Sequence, residues 1–221
     1  MFHPSSVIDV GCGIGTFLAV FRRYGVGNVK GIDGNWVNRE LLAKYISLPD
    51  FIEADLQRPL PVDRRFDLAL CLEVAEHLRP DAAGVLVESL VQLSDIIIFS
   101  AALPGQGGEN HLNEQYVDYW QEKFASHGYY FHDVFRSWFW NNPNISWWYR
   151  QNMFLVTKKE KLPAVEILKR YEVNSIQNYV HPELLLIHVN ENEKIMKGKL
   201  GAWKTSKLAL KSILVRLGII K

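Results

Sequence analysis

VIDVGCGIGTFL, residues 7–18, decides the fold. Residues Val7 to Val10 are apolar apart from one acid, Asp9, and glycines follow at alternate positions, Gly11, Gly13 and Gly15. An apolar run ending in glycine reads as a buried strand entering a sharp turn, and residues 16–24 then carry the spacing of a helix. Three missing side chains at a strand-to-helix turn let the backbone approach a ligand, and N–H groups at the helix start favour an anionic or polar partner. Dinucleotide-binding loops use a related G-x-G-x-x-G pattern, but here the third glycine comes one residue early.

Outward from that turn the chain alternates. Residues 28–33 read as a second strand, 36–45 as a helix, 51–54 as a short third strand, 66–72 (FDLALCL) as a fourth and 95–101 (DIIIFSA) as a fifth, with a helix over 82–93. Short continuous apolar strands separated by helices imply a parallel sheet covered on both faces. A further helix is expected over 113–127, and the last two strands over 129–136 and 151–158. The expected fold class is α/β, a doubly wound, mostly parallel seven-stranded sheet with a helical C-terminal extension. Its domain boundary is expected between residues 157 and 158, with a long helix from Pro182 onward.

Composition narrows the class. The chain has 221 residues, 48% of them hydrophobic, and only two cysteines, Cys12 and Cys71. That argues against a disulfide framework or a cysteine-rich metal site and for a reducing, cytoplasmic setting. No apolar run reaches the ~20 residues of a spanning helix. The net charge of +1 is uneven: from Lys194 onward there are eight of the 25 Lys and Arg and none of the 24 acids, leaving the body at −7. Such a body is a poor surface for nucleic acid, so no nucleic-acid partner is expected. The basic tail, with Trp203, Leu210, Leu214 and Leu217 on one helical stripe, either packs or self-associates, or lies peripherally on an anionic membrane at the inner face.

The acids are placed by the strands. Asp33 ends the second strand in KGIDG, where a carboxylate can accept hydrogen bonds from ribose hydroxyls; Asp55 ends the third in IEADL. VIDVGCGIGTFL, GIDG, EADL and FDLALCLEVAEHL together resemble, in order and spacing, the motifs of class I S-adenosylmethionine-dependent methyltransferases. The resemblance implies that Gly11, Cys12 and Gly13 line the methionine end of the cofactor. Asp33 holds the ribose, Asp55 and Leu56 meet the adenine, and Leu72 and Glu73 form the floor; Asp9, Gly15 and Gly34 complete the set. More loosely, the stretch from FSA to NMFLV resembles bacterial methyltransferases of polysaccharide or secondary-metabolite pathways, implying a small-molecule or glycan acceptor. The rival readings are a non-catalytic module that keeps the cofactor fold and, less well supported, a nicotinamide enzyme.

Two polar clusters are candidates for the chemistry. In Glu73-Val-Ala-Glu76-His77, a helical turn would put Glu73, Glu76 and His77 on one face. Similar E-x-x-E-H segments occur in methyltransferases that bind a divalent ion, in one group with a downstream histidine, so Glu73, Glu76, His77 and His111 form a candidate metal set. The same segment also merely shapes the loop in relatives without metal, and a metal is not favoured here. The second cluster, PGQGGENHLNEQYVDYW (residues 104–120), offers Asn110 or Asn113 as a helix cap and places His111 at the mouth of the site, as general base or as a residue that orders the loop. His77 is the weaker base candidate. Residues 116–149 hold fourteen of the 27 aromatic side chains. Trp138, Trp140, Trp147 and Trp148 are either a platform for a sugar or flat acceptor, or a packed hairpin. Only six residues precede the first strand, so the 104–110 loop and residues 138–149 are the expected cover of a rather open cofactor site.

Overall fold

The computed structural model describes residues 3–158, 176–197, 199 and 201–216. Seven strands form one sheet: β1 (Ser6–Val10), β2 (Asn28–Asp33), β3 (Phe51–Glu53), β4 (Leu68–Leu72), β5 (Ile96–Ser100), β6 (Tyr129–His132) and β7 (Phe154–Lys158), in the order β3-β2-β1-β4-β5-β7-β6. The first five are mutually parallel, and β7 runs antiparallel to both β5 and β6. The continuous apolar strands have the cause inferred from sequence, since both faces are covered. Val7, Leu68 and Leu70 pack with α1 (Thr16–Arg23) and α2 (Arg39–Leu42), whereas Ile8, Val10, Ala69 and Cys71 pack with α3 (Ala83–Leu93) and α4 (Val117–Ala125). Alternate residues of one strand thus feed two cores.

Several expected elements are shorter or different. The helix expected over 36–45 shrinks to α2 because Asn38 caps it, accepting the Leu41 N–H at 3.0 Å. β4 starts at Leu68, Phe66 having already given its N–H to Leu93 O. The strand expected over 129–136 stops at His132, and α5 (Val134–Phe139) follows. There Phe135 meets Trp138 and Phe139 at i+3 and i+4, a helical spacing overlooked among so many aromatics. The strand expected over 151–158 begins only at Phe154, after α6 (Trp147–Asn152). The helix expected over 113–127 starts at Val117, since Leu112 and Asn113 give their N–H groups to Glu76 O and Gln115 gives its own to Ala102 O. Neither Asn110 nor Asn113 caps it; the Val117 N–H goes to Asn178 Oδ1.

The chain divides into two compact units, Met1–Tyr179 and Val180–Lys221. The first runs beyond the expected boundary at residue 157 because Ile176 joins its core and Asn178 caps α4. The second contains α7 (Pro182–Met196) and α8 (Ala202–Arg216), and it exposes Leu185, Leu186, Leu208, Leu210 and Val215. Leu217–Lys221, expected to extend the last helix, lie outside the described residues, as does the stretch 159–175. Among the described residues no helix is long and apolar enough to cross a membrane.

Candidate active site

β1 delivers the chain to three left-handed glycines, Gly11 (φ 83°), Gly13 (φ 52°) and Gly15 (φ 82°). The turn is locked onto β2: the Gly11 and Cys12 N–H groups share Ile32 O, and Gly13 donates to Asp33 Oδ2 at 2.8 Å. The other oxygen of Asp33, Oδ1, accepts from Gly34 at 2.7 Å. Asp33 is therefore both the acid at the end of β2 and the clamp that shapes the glycine turn. Each of its oxygens retains a lone pair for a ligand hydroxyl. At Gly11 a Cβ would stand 2.2 Å from Val74 Cγ2, so the position admits no side chain on steric grounds as well as by its φ. At Gly34 a Cβ would meet the Trp36 ring at 2.1 Å, so that indole, largely exposed to solvent, lies across the acidic strand end.

Asp9 lies beneath the turn, only 2% exposed, and its carboxyl is pushed up to about 7, first by burial and then by Asp33. Burial, followed by these two acids, also raises the Cys12 thiol, which makes it a packing residue and not a nucleophile. Asp55 is exposed, accepts the Gln57 N–H through Oδ1 and sits 3.5 Å from Arg58. The Leu56 side chain is buried in the core. Leu72 and Glu73 leave β4 at the same edge of the sheet.

Glu73 does not share a face with Glu76 and His77. Its backbone is left-handed (φ 54°), and the 3₁₀ turn starts only at Ala75. The carboxylate instead accepts from Asn152 Nδ2 at 3.2 Å and Gln106 Nε2 at 3.3 Å, in a network continued by Gln151. Burial raises its pKa, and these hydrogen bonds oppose the rise. Glu76 is fully buried, and neither of its oxygens has a hydrogen-bond partner. Burial first, and Glu73 next, push it up to about 8. His77 and His111 meet edge to face, with ring centroids 4.8 Å apart. Burial and then His111 lower the His77 pKa, which favours the neutral imidazole. His111 is held by Glu114, whose Oε1 lies 2.8 Å from Nδ1. Glu114 also accepts the Gly105 and Gly107 N–H groups, so one carboxylate organises the loop after β5 and orients the imidazole together. One ligating atom from each of Glu76, His77 and His111 lies within 4.8 Å of the others, a donor set from which Glu73 is absent. The four-residue set expected from sequence is thereby reduced to three.

Across this cluster Phe17 of α1 packs edge-on against Tyr149 of α6, centroids 5.8 Å apart. The Tyr149 phenol is raised by burial and next by Glu73, which places it beside the acids. Residues 2–158 match the profile of a methyltransferase-domain family. The chain belongs to that family. The sheet agrees: magnesium protoporphyrin IX methyltransferase from Synechocystis PCC 6803, crystallised with bound SAH, superposes with a TM-score of 0.53 at 18% identity, over 70% of this chain and 74% of the other. An S-adenosylmethionine-dependent methyltransferase from Mesorhizobium loti gives 0.51 at 16% identity, over 69% and 88%. A small RNA methyltransferase gives 0.52 at 16% identity, over 72% of this chain but only 23% of the other. No curated protein sequence matches the chain.

In this methyltransferase the carboxyl ends of β1, β2 and β4 bring Asp9, Gly11, Cys12, Gly13, Asp33, Leu72 and Glu73 to one edge, as the sequence motifs require. Gln106, Gln151 and Asn152 were not read as site residues. Only their contacts reveal them, Gln106 and Asn152 with Glu73 and Gln151 with those two, and they carry no motif. Glu114 was likewise missed, although a glutamate three residues after a histidine in a glycine-rich loop is a readable signal.

Proposed function

We propose that this methyltransferase transfers a methyl group from S-adenosylmethionine to a hydroxyl of a small-molecule or glycan acceptor. When bound, the cofactor supplies a methyl group already activated on a sulfonium, so the chain must align the reactants, exclude water and take a proton. Asp33, Gly34 and the glycine turn hold the ribose and methionine ends. Asp55 and the backbone at Leu56 meet the adenine. The Phe17–Tyr149 pair covers the turn. His111 is the base. The observation that carries this role is its bond to Glu114: with Nδ1–H donated to a carboxylate, Nε2 keeps its lone pair for the acceptor proton, and the ring cannot swing away. Nε2 would take the proton that the acceptor hydroxyl loses on methylation. The acidic body and the aromatic surface of α5 and α6 suit a neutral ring acceptor better than a polyanion.

Calorimetry with S-adenosylhomocysteine and with NAD tests the donor. Binding of the first without the second is expected, and NAD binding alone would reverse the reading. Nucleotide sugars and glycan fragments with labelled cofactor test the acceptor.

A second reading concerns a divalent ion. Its support is the Glu76 carboxylate, fully buried with two unpartnered oxygens beside two imidazoles. One oxygen and two nitrogen donors suit a transition metal, and the Glu114 contact is the outer support a ligating histidine normally has. Held there by Glu76, His77 and His111, such an ion would acidify an acceptor hydroxyl directly. Titration with manganese, followed by magnetic relaxation of water protons, decides between the readings: saturable binding lost in Glu76→Gln supports the ion.

A further inference from the structure

Away from the glycine turn, Asp133, Arg136, Ser137, Trp140 and Tyr179 line an open cavity of about 390 Å³. Arg136 is 4% exposed, and its donors are unequally used. Nε donates to Asp133 Oδ1 at 3.0 Å and Nη1 to Gln177 O at 2.8 Å, while Nη2 has no partner. The guanidinium carbon lies 4.5 Å from the Phe154 ring centroid and 5.1 Å from that of Tyr179. The guanidinium is thus a fixed part of the cavity wall, held by Asp133, Gln177 and the two rings.

We infer that this cavity is a binding subsite for a neutral pyranose ring of the acceptor; the inference rests on the glycan arm of the proposed function. Three features select that chemistry. Asp133 neutralises Arg136, so an anionic ligand gains little and meets a carboxylate. The wall offers acceptors at Asp133 and at Ser137 Oγ, whose own proton goes to Val134 O. Neighbouring sugar hydroxyls can donate to both. The remaining wall is aromatic: Trp140 and Tyr179 stand edge to face with centroids 6.2 Å apart, a surface for the C–H face of a sugar ring. The volume lies near the lower end of the about 300 to 1,000 Å³ of small-ligand sites, room for one or two rings. The position fits an extended acceptor. β6 runs parallel to β5, both being antiparallel to β7, so α5 leaves the sheet at the edge that carries the glycine turn. Arg150 of α6 joins the two regions through its bond to Trp140 O, one residue from Tyr149.

Saturation-transfer NMR on the full chain, with millimolar methyl glucoside, galactoside and mannoside and with benzoate as a planar anionic control, tests the subsite. Transfer to the ring C–H protons of at least one glycoside is expected, at least fivefold weaker in Trp140→Ala and partly kept in Trp140→Phe. S-adenosylhomocysteine affinity should be unchanged in both variants, which verifies their fold. Transfer to benzoate alone, no transfer to any glycoside, or a glycoside signal indifferent to Trp140→Ala overturns the inference. If the wild-type chain binds a glycoside through Trp140 but not S-adenosylhomocysteine, the donor assignment falls and the subsite stands.

Discussion

The turns after β1 and β4 are neighbours on one edge of the sheet, close enough for Gly11 to touch Val74, and each has a buried acid behind it. Around the first turn Asp33 accepts two backbone N–H groups, and the glycines owe their shape to it. Around the second, Glu76 is more deeply buried and clamps no comparable turn. Similar burial thus produces two kinds of acid. One is spent on architecture and presents its remaining lone pairs in a fixed direction; the other is pushed towards its protonated form, first by burial and then by Glu73. Under the proposed function the first turn binds and the second borders the reaction.

The largest effect should come from Asp33→Ala, which removes the clamp on Gly13 and, under the proposed function, the ribose acceptor as well. S-adenosylhomocysteine affinity is expected to fall by roughly 10³-fold or more, and calorimetry showing an unchanged affinity would dissolve the contrast between the turns. Asp9→Asn comes next. In the folded chain Asp9 holds its proton to about pH 7, against 3.8 for a free aspartate carboxyl. The native state therefore binds more protons than the unfolded state between those values, and wild-type stability falls as pH rises through that window. The loss reaches roughly 4 kcal/mol and is complete above the folded pKa. The asparagine variant should show a shallower slope, with Glu76 keeping a contribution of the same sign up to about pH 8, as urea unfolding across the window would show. His111→Ala should lower turnover by ~10²-fold while sparing cofactor affinity, assigning chemistry to the loop after β5 that packs on the second turn and binding to the first. Equal loss of both would merge the two roles. The smallest effect is expected where the turns touch. Gly11→Ala should cost about 2 kcal/mol through its φ and the clash with Val74, and Val74→Ala should recover part of that loss, the φ strain remaining.

What was legible in the sequence follows the same division. The glycine turn, Asp33 and the parallel strands are written locally, in residues that touch their own neighbours, so spacing alone located them. The reacting edge is assembled from distant pieces: Glu73 meets Asn152 and Gln106, and Glu76 O receives Leu112 and Asn113. No local period encodes such contacts. The left-handed backbone at Glu73 defeated the assumption of a continuous helical turn, which had grouped Glu73 with Glu76 and His77. Aromatic abundance concealed α5 and α6 for a related reason, because Phe, Tyr and Trp favour strands by propensity, while Phe135, Trp138 and Phe139 pack at helical intervals.

The placement of β7 between β5 and β6 has a consequence for synthesis. As the chain leaves the ribosome, β5 and later β6 emerge with open edges that cannot pair with each other, and the strand that joins them follows only after α5 and α6. Until Lys158 is out, one flank of the sheet stays unzipped, presenting the Ile96–Ser100 run to any other strand nearby. The window in which a nascent chain is most prone to wrong pairing is therefore set by the length of the aromatic excursion between β6 and β7. Lengthening that excursion to enlarge acceptor choice would prolong the exposure.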